Sequence, residues 1–173
     1  MIGFWDFIAP SAPPAAELSR SAAGVTHVHP FDRVPDKSAW HGYQNDFDVR
    51  DLHGRFFGKS HGQVQEYFGE GSSISRMDEL TFAPRPVFQY YVQSFARYVL
   101  SPAAAGDSAT ASAFLSLLEA RDGQDAGSVE EVYPLVAKCV DFIATHQEHF
   151  DAPVHIYGSF KERCASIARA NGT

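Results

Sequence analysis

The sequence predicts an all-α domain, and three patterns support this fold class. The segment Pro86–Leu100 is apolar at nearly every position, with a narrow polar stripe of Gln89, Gln93 and Arg97 spaced four apart. Apolar residues recur at helical spacing from residue 36 onward, and typical helix-capping residues stand between these stretches. A helix that is apolar on most sides must be buried. Pro86–Leu100 is therefore predicted to be the central helix of a single-domain bundle of about six to seven helices.

Residues 1–35 differ in character from the predicted helical domain at 36–173. The first ten residues are rich in large apolar side chains, but they lack the basic region of a signal peptide. A linker rich in Pro and Ala follows, and then an extended arm at Val25–Phe31. We expect the apolar segment to dock onto the domain. The alternatives are a short membrane-surface anchor and the docking element of a scaffold subunit, each through Phe4, Trp5, Phe7 and Ile8.

The first predicted helix starts at Asp36 or Ser38, which are both suitable N-cap residues. Trp40, Tyr43 and Phe47 follow at spacings of three and four, so they are predicted to share one apolar face. Gly58 is predicted to end this helix, and Ser60 is predicted to begin a second, short helix. The sequence thus predicts two helices before residue 70.

The later helices are predicted from caps and breakers. Ser60 and Gln63 form a capping box, and Pro84 separates two helices. Ser108, Ser128 and Ser159 are predicted to cap the last three long helices. Pro134 must lie in the first turn of its helix or kink it, and the short loops in this half of the chain favour antiparallel neighbours.

Composition narrows the class of function. With 14 basic and 21 acidic residues, the formal net charge is −7, which disfavours binding to a nucleic acid backbone. No apolar run is long enough to cross a membrane. Cys139 and Cys164 are too few and too far apart for a disulfide framework. They are predicted to be buried thiols of a cytoplasmic protein.

Two segments resemble ligand-binding loops without fulfilling their requirements. Gly54–Ser60 reads GRFFGKS, in which the first glycine is one residue too close to the second for a phosphate loop. Asp122–Tyr133 lacks acidic residues at several ligand positions of a calcium loop. No GxSxG motif is present either. The sequence therefore predicts no catalytic residue and no cofactor.

Histidines provide the alternative, which is a metal-dependent enzyme or a metal-binding protein. His146 and His149 lie three residues apart in a predicted helix, a spacing that places two ligands on one face. His155 is close in sequence, and His27 and His29 alternate on the extended arm. Histidines near a helix C-terminus also complement its dipole without any metal.

An acidic surface is the main candidate for partner binding. Asp46, Asp48, Asp51 and Glu70 concentrate negative charge within a short stretch. A second candidate is the segment 73–86, SISRMDELTFAPRP. Its charged residues Arg76, Asp78, Glu79 and Arg85 lie around a double-proline turn. That segment is compatible with a buried salt-bridge brace or with a binding loop.

Taken together, these patterns predict a non-enzymatic acidic protein-binding domain. The most specific form of this prediction is a bacterial immunity-type inhibitor that neutralises a toxin or effector protein. Many toxin domains are basic, and opposite charge accelerates association with an acidic inhibitor. The predicted partner is therefore another protein, with neither nucleic acid nor a membrane span involved.

Overall fold

The computed structural model describes residues 31–69 and 71–172, and these form an all-α bundle, as predicted. The predicted N-terminal apolar segment, linker and most of the extended arm lie outside the described residues. Within the described ranges there is no β-strand, and no helix combines the length and hydrophobicity needed to cross a membrane. The helices are α1 Phe47–Phe56, α2 His61–Val64, α3 Ser73–Phe82, α4 Arg85–Val99, α5 Ser108–Gln124, α6 Ser128–Thr145, α7 Val154–Tyr157 and α8 Phe160–Asn171.

Helix α4 is the centre of the bundle, as its apolar sequence predicts. It contacts α2, α3, α5 and α6, and its largest side chains, Phe88, Tyr91 and Phe95, are completely buried. Phe95 stacks on Phe68 with ring centroids 4.5 Å apart. The Tyr91 hydroxyl donates to the backbone carbonyl of Phe56 at 2.5 Å, so the phenol is buried without an unpaired polar group.

The polar stripe of α4 is buried at both of its glutamines. Gln89 is 3% exposed and Gln93 is 6% exposed. The amide nitrogen of Gln89 donates to the carboxylate of Glu131 at 2.6 Å and to the carbonyl of Ser128 at 3.2 Å. The amide nitrogen of Gln93 donates to the carbonyl of Phe31 at 3.0 Å. The stripe therefore joins α4 to α6 and to the start of the described chain.

The prediction that helix begins at Asp36 or Ser38 is wrong. The carboxylate of Asp36 instead accepts from the backbone N–H of Ser38 at 2.9 Å and closes a turn. Gly42 then has a left-handed φ of 84°, which interrupts helical geometry. Helix α1 starts only after Asp46, so Phe47 leaves the predicted apolar face and is 73% exposed.

Two predicted caps are displaced by one residue. Asp107, rather than Ser108, caps α5, and its carboxylate accepts a backbone N–H of the first turn at 2.9 Å. Helix α6 follows Gly127, whose φ is 80°. The hydroxyl of Ser128 accepts from the side chain of Arg121 at 3.1 Å instead of capping the helix.

Other local predictions are confirmed. Ser60 and Gln63 form the capping box of α2, and the hydroxyl of Ser159 accepts a backbone N–H of α8 at 3.2 Å. Pro134 is an exception, because it lies inside α6 beyond the first turn, so the first of the two positions expected for it is wrong. The thiols are buried and unpaired, and burial raises the pKa of Cys164 to about 12.

Arg121 joins the ends of three helices although it is only 3% exposed. One guanidinium nitrogen donates to the carbonyls of Thr81 and Ala83, both at 2.7 Å, where α3 ends. The other two donate to the hydroxyl of Ser128 at 3.1 Å and to the carboxylate of Asp125 at 2.7 Å. Its positive charge also complements the C-terminal end of the α3 dipole.

Candidate partner-binding surface

Helix α1 separates an apolar side from a charged one. Val49, Leu52 and Phe56 recur at helical spacing and are buried against the rest of the bundle, largely against α3. The side turned to solvent is called the α1 face, and its exposed side chains are Phe47, Asp48, Arg50, Asp51 and Arg55. Phe47 and Asp51 are one turn apart, so they form one continuous strip along the helix.

The four acidic residues predicted for partner binding have different roles. Asp46 caps α1, and its carboxylate accepts two backbone N–H groups at 2.9 and 3.0 Å. Asp51 accepts from the guanidinium of Arg55 at 2.9 Å. Asp48 is exposed, and Glu70 lies outside the described residues. The α1 face therefore contains two of the four predicted residues, and Asp46 caps the helix that carries them.

A buried ion pair lies behind the α1 face. Arg76 and Glu79 of α3 form a salt bridge, and their side chains are 7% and 5% exposed. The guanidinium of Arg76 is also 4.0 Å from the Asp51 carboxylate. One carboxylate oxygen of Glu79 and the Nε of Arg76 have no hydrogen-bond partner among the described residues. Burial raises the pKa of Glu79 to about 7, although the Arg76 charge opposes that shift.

The raised pKa predicts how Glu79 couples stability to pH. The unfolded carboxyl loses its proton near its ordinary pKa of 4.5, whereas the native one keeps it to about pH 7. The native state therefore binds more protons in this window, and the free energy of unfolding decreases as pH rises through it. As pH rises, the free energy of unfolding of wild type is expected to decrease relative to that of Glu79→Gln by up to about 1.4 kcal/mol per pH unit.

Urea unfolding followed by circular dichroism between pH 4.5 and 8 tests this expectation. The exposed carboxylate variant Glu148→Gln is the matched control, and its stability should stay parallel to that of wild type. A constant difference between wild type and Glu79→Gln across the whole range would show that Glu79 does not titrate there.

Of the charged residues around the double-proline turn, Arg76, Glu79 and Arg85 form ion pairs that brace the fold, one of the two roles considered for them, whereas Asp78 is exposed. Arg76 and Glu79 pair in the interior, as described above. Arg85 donates to Asp125 and, at 3.0 Å, to Glu131, which joins the start of α4 to the start of α6. A cavity of about 680 Å³ opens beside Arg85. Because all three guanidinium nitrogens already donate to protein oxygens, Arg85 offers no unpaired cation to an anionic ligand there.

The predicted metal-ligand histidines are not arranged on one helix face. Helix α6 ends at Thr145, so His146 and His149 do not continue it as the prediction assumed. Nδ1 of His146 lies 3.0 Å from the carbonyl of Phe142, and its ring stacks on the Phe142 ring at 4.3 Å. His149 belongs to a following 3₁₀ turn, and His155 lies exposed in α7.

No group of three possible metal ligands converges anywhere in residues 31–69 and 71–172. His27 and His29, the other two residues considered for this role, lie outside the described residues. The metal-binding alternative therefore stays a prediction without support from the described geometry.

His61 is a buried polar residue that the sequence did not single out. It is 8% exposed, its Nδ1 lies 2.7 Å from the Ser94 hydroxyl, and its ring stacks on Tyr90 at 4.0 Å. Burial, together with a smaller contribution from the positive charge of Arg97, lowers the pKa of His61 to about 4. Ser94 is completely buried, so a substrate cannot reach its hydroxyl. The pair joins α2 to α4 rather than forming a nucleophilic dyad.

Comparison with known proteins provides no family for this chain. No family model matches it, no curated protein is significantly similar to it, and no solved structure matches it.

Proposed function

We propose that this protein is a non-enzymatic domain that binds a basic protein partner through the α1 face. The observation that carries the proposal is the 73% exposure of Phe47, a large aromatic side chain beside the exposed carboxylates of Asp48 and Asp51. Aromatic anchors surrounded by polar residues contribute most of the binding energy in many protein interfaces. Phe47 also has Arg50 5.1 Å from its ring centroid, so its position is partly fixed before binding.

Charge supports a basic partner. Asp48 and Asp51 lie on one side of Phe47 and Arg50 lies on the other. A basic partner is therefore attracted mainly by the formal net charge of −7 that the whole chain carries. Such a field accelerates association with a positively charged protein, and salt weakens the effect because it screens exposed charges. Affinity for the partner is therefore expected to fall as ionic strength rises.

In its most specific form, the proposal is an immunity-type inhibitor of a basic bacterial toxin or effector, acting in the cytoplasm. The two unpaired buried thiols suit a reducing compartment. An acidic surface can cover the basic residues with which a toxin such as a nuclease holds its own substrate. Inhibition then needs no chemistry from the inhibitor, which agrees with a proposed role without catalysis.

Phe47→Ala is expected to weaken partner binding by about tenfold or more, which is the range of an aromatic hot spot. Asp48→Lys should slow association and reduce its dependence on salt. The tagged full-length chain and these variants are used to capture proteins from the native host. Binding of the captured protein is then measured by titration at two salt concentrations.

Each variant has a matched control outside α1. Glu130→Lys reverses an exposed acid in the first turn of α6, so it carries the same cost at a helix N-terminus as Asp48→Lys. Ile156→Ala removes an apolar side chain that is 66% exposed on α7. A basic protein that loses affinity only with the α1 variants supports the proposal, and equal affinities for all four variants contradict it.

Co-expression tests the inhibitor role separately. The captured protein should arrest growth when it is expressed alone, and growth should return with wild type but not with Phe47→Ala. A captured protein that is harmless on its own would remove the toxin-inhibitor version.

A further inference from the structure

An apolar groove lies between α3 and α5, and none of its lining residues belongs to α1. It is lined by Ile74 and Met77 of α3 and by Ala109, Ser112, Ala113 and Ser116 of α5. Tyr157 of α7 also lines it. This set is called the α3–α5 groove. Its volume of about 290 Å³ is just below the range of about 300 to 1,000 Å³ that is typical of small-molecule sites.

The groove presents a surface that is mostly apolar. Apart from the phenol of Tyr157, none of its lining residues is ionisable. The hydroxyls of Ser112 and Ser116 accept from Arg163 at 3.3 and 2.9 Å, so their polar atoms are already satisfied. Ile74 is nevertheless 55% exposed. An occupant with large apolar side chains would remove this surface from water.

We propose that the apolar N-terminal segment of this same chain, residues 4–8, occupies the α3–α5 groove. The segment supplies Phe4, Trp5, Phe7 and Ile8, which match the apolar lining. The described chain starts at Phe31, whose carbonyl accepts from Gln93 at 3.0 Å. That bond fixes the point on α4 from which the preceding residues must reach the groove.

The tether is long enough and favours an intramolecular contact. Residues 9–30 can span about 70 Å when extended, at about 3.3 Å per residue. A domain of this size has a radius of gyration of only about 15 Å. A linker of this length keeps a joined segment at an effective concentration on the order of millimolar. At micromolar protein concentration, the chain's own segment therefore outcompetes the same segment of a second copy.

Fluorescence of Trp5 tests the proposal in the full-length chain. The chain has two tryptophans, and Trp40 is 1% exposed. The difference between wild type and Trp5→Phe thus isolates the emission of Trp5. In wild type, this emission is expected to be blue-shifted and shielded from acrylamide. Ile74→Lys should abolish both effects because it places a charge in the groove.

Leu135→Lys is the matched control, because Leu135 is 38% exposed on α6 and does not line the groove. It should leave the emission of Trp5 unchanged. Circular dichroism confirms that each variant is folded, and Ile74→Gln replaces Ile74→Lys if the latter unfolds.

Three results would overturn the proposal. Trp5 could be as accessible to acrylamide in wild type as free tryptophan, or its shielding could survive Ile74→Lys and Ile74→Gln. Shielding that increases with protein concentration would assign the groove to a second copy instead. None of these results depends on the α1 face, so failure here and failure of the proposed function are distinguishable.

Discussion

Arg121→Met is expected to lower the free energy of unfolding by about 3–5 kcal/mol, the range found when one partner of a buried ionic network is removed. Methionine approximates the length of the aliphatic stem, so packing is largely kept. The carbonyls of Thr81 and Ala83 lose their donor, and Asp125 keeps only its bonds to Arg85. Buried acceptors without partners are costly because water cannot replace the lost donor.

Denaturant unfolding monitored by circular dichroism measures this effect. Arg169→Met, at an exposed position in the last turn of α8, is the matched control and should change stability by less than about 0.5 kcal/mol. Arg121→Lys should fall between wild type and Arg121→Met, because one ammonium group cannot reach all four acceptors. Equal stabilities of Arg121→Met and Arg169→Met would mean that the network contributes little.

Acidification is expected to destabilise the protein through His61 by roughly 3 kcal/mol between pH 6.5 and pH 4. Burial lowers the native pKa of His61 to about 4, whereas its ordinary pKa is 6.5. In this window the unfolded state therefore binds the extra proton, and the free energy of unfolding falls as pH falls. Glu79 acts in the opposite direction over part of the same range, so wild type alone would hide the contribution of His61.

His61→Asn separates the two contributions. Asparagine can place an amide near the Ser94 hydroxyl, where Nδ1 lies in wild type. The variant loses the stacking on Tyr90 and is less stable at every pH, but its stability should depend less on acid. His146→Asn, at an exposed histidine after α6, is the control. If wild type and His61→Asn lose stability in parallel from pH 6.5 to 4, this explanation fails.

Features encoded within one turn of helix could be predicted from the sequence. The apolar character of Pro86–Leu100 predicted a buried central helix because no other environment accepts such a surface. The capping box of Ser60 and Gln63 was correct because both partners are three residues apart. Both signals involve only neighbours in the chain.

Features that depend on contacts between residues far apart in the chain could not be predicted from the sequence. The serine that contacts His61 is 33 residues away, so nothing near His61 indicated that it is buried. Phe47 shares an apolar face with Trp40 and Tyr43 only if one helix runs through all three, and the positive φ of Gly42 and the extended backbone of Asp46 interrupt it. Of the residues predicted for partner binding, Asp48 and Asp51 lie exposed on α1 beside Phe47, which the sequence assigned to an apolar face.

The buried glutamines of α4 bear on conformational uniqueness rather than on stability. A helix that is apolar all round gains similar hydrophobic energy in several rotations about its own axis. The side-chain amide of Gln89 donates a hydrogen bond to α6, and that of Gln93 donates one to Phe31. Both hydrogen bonds form in only one of those rotations. In every other rotation two buried amides would lack partners, which costs free energy. The two buried glutamines thus select a single rotation of the central helix about its own axis.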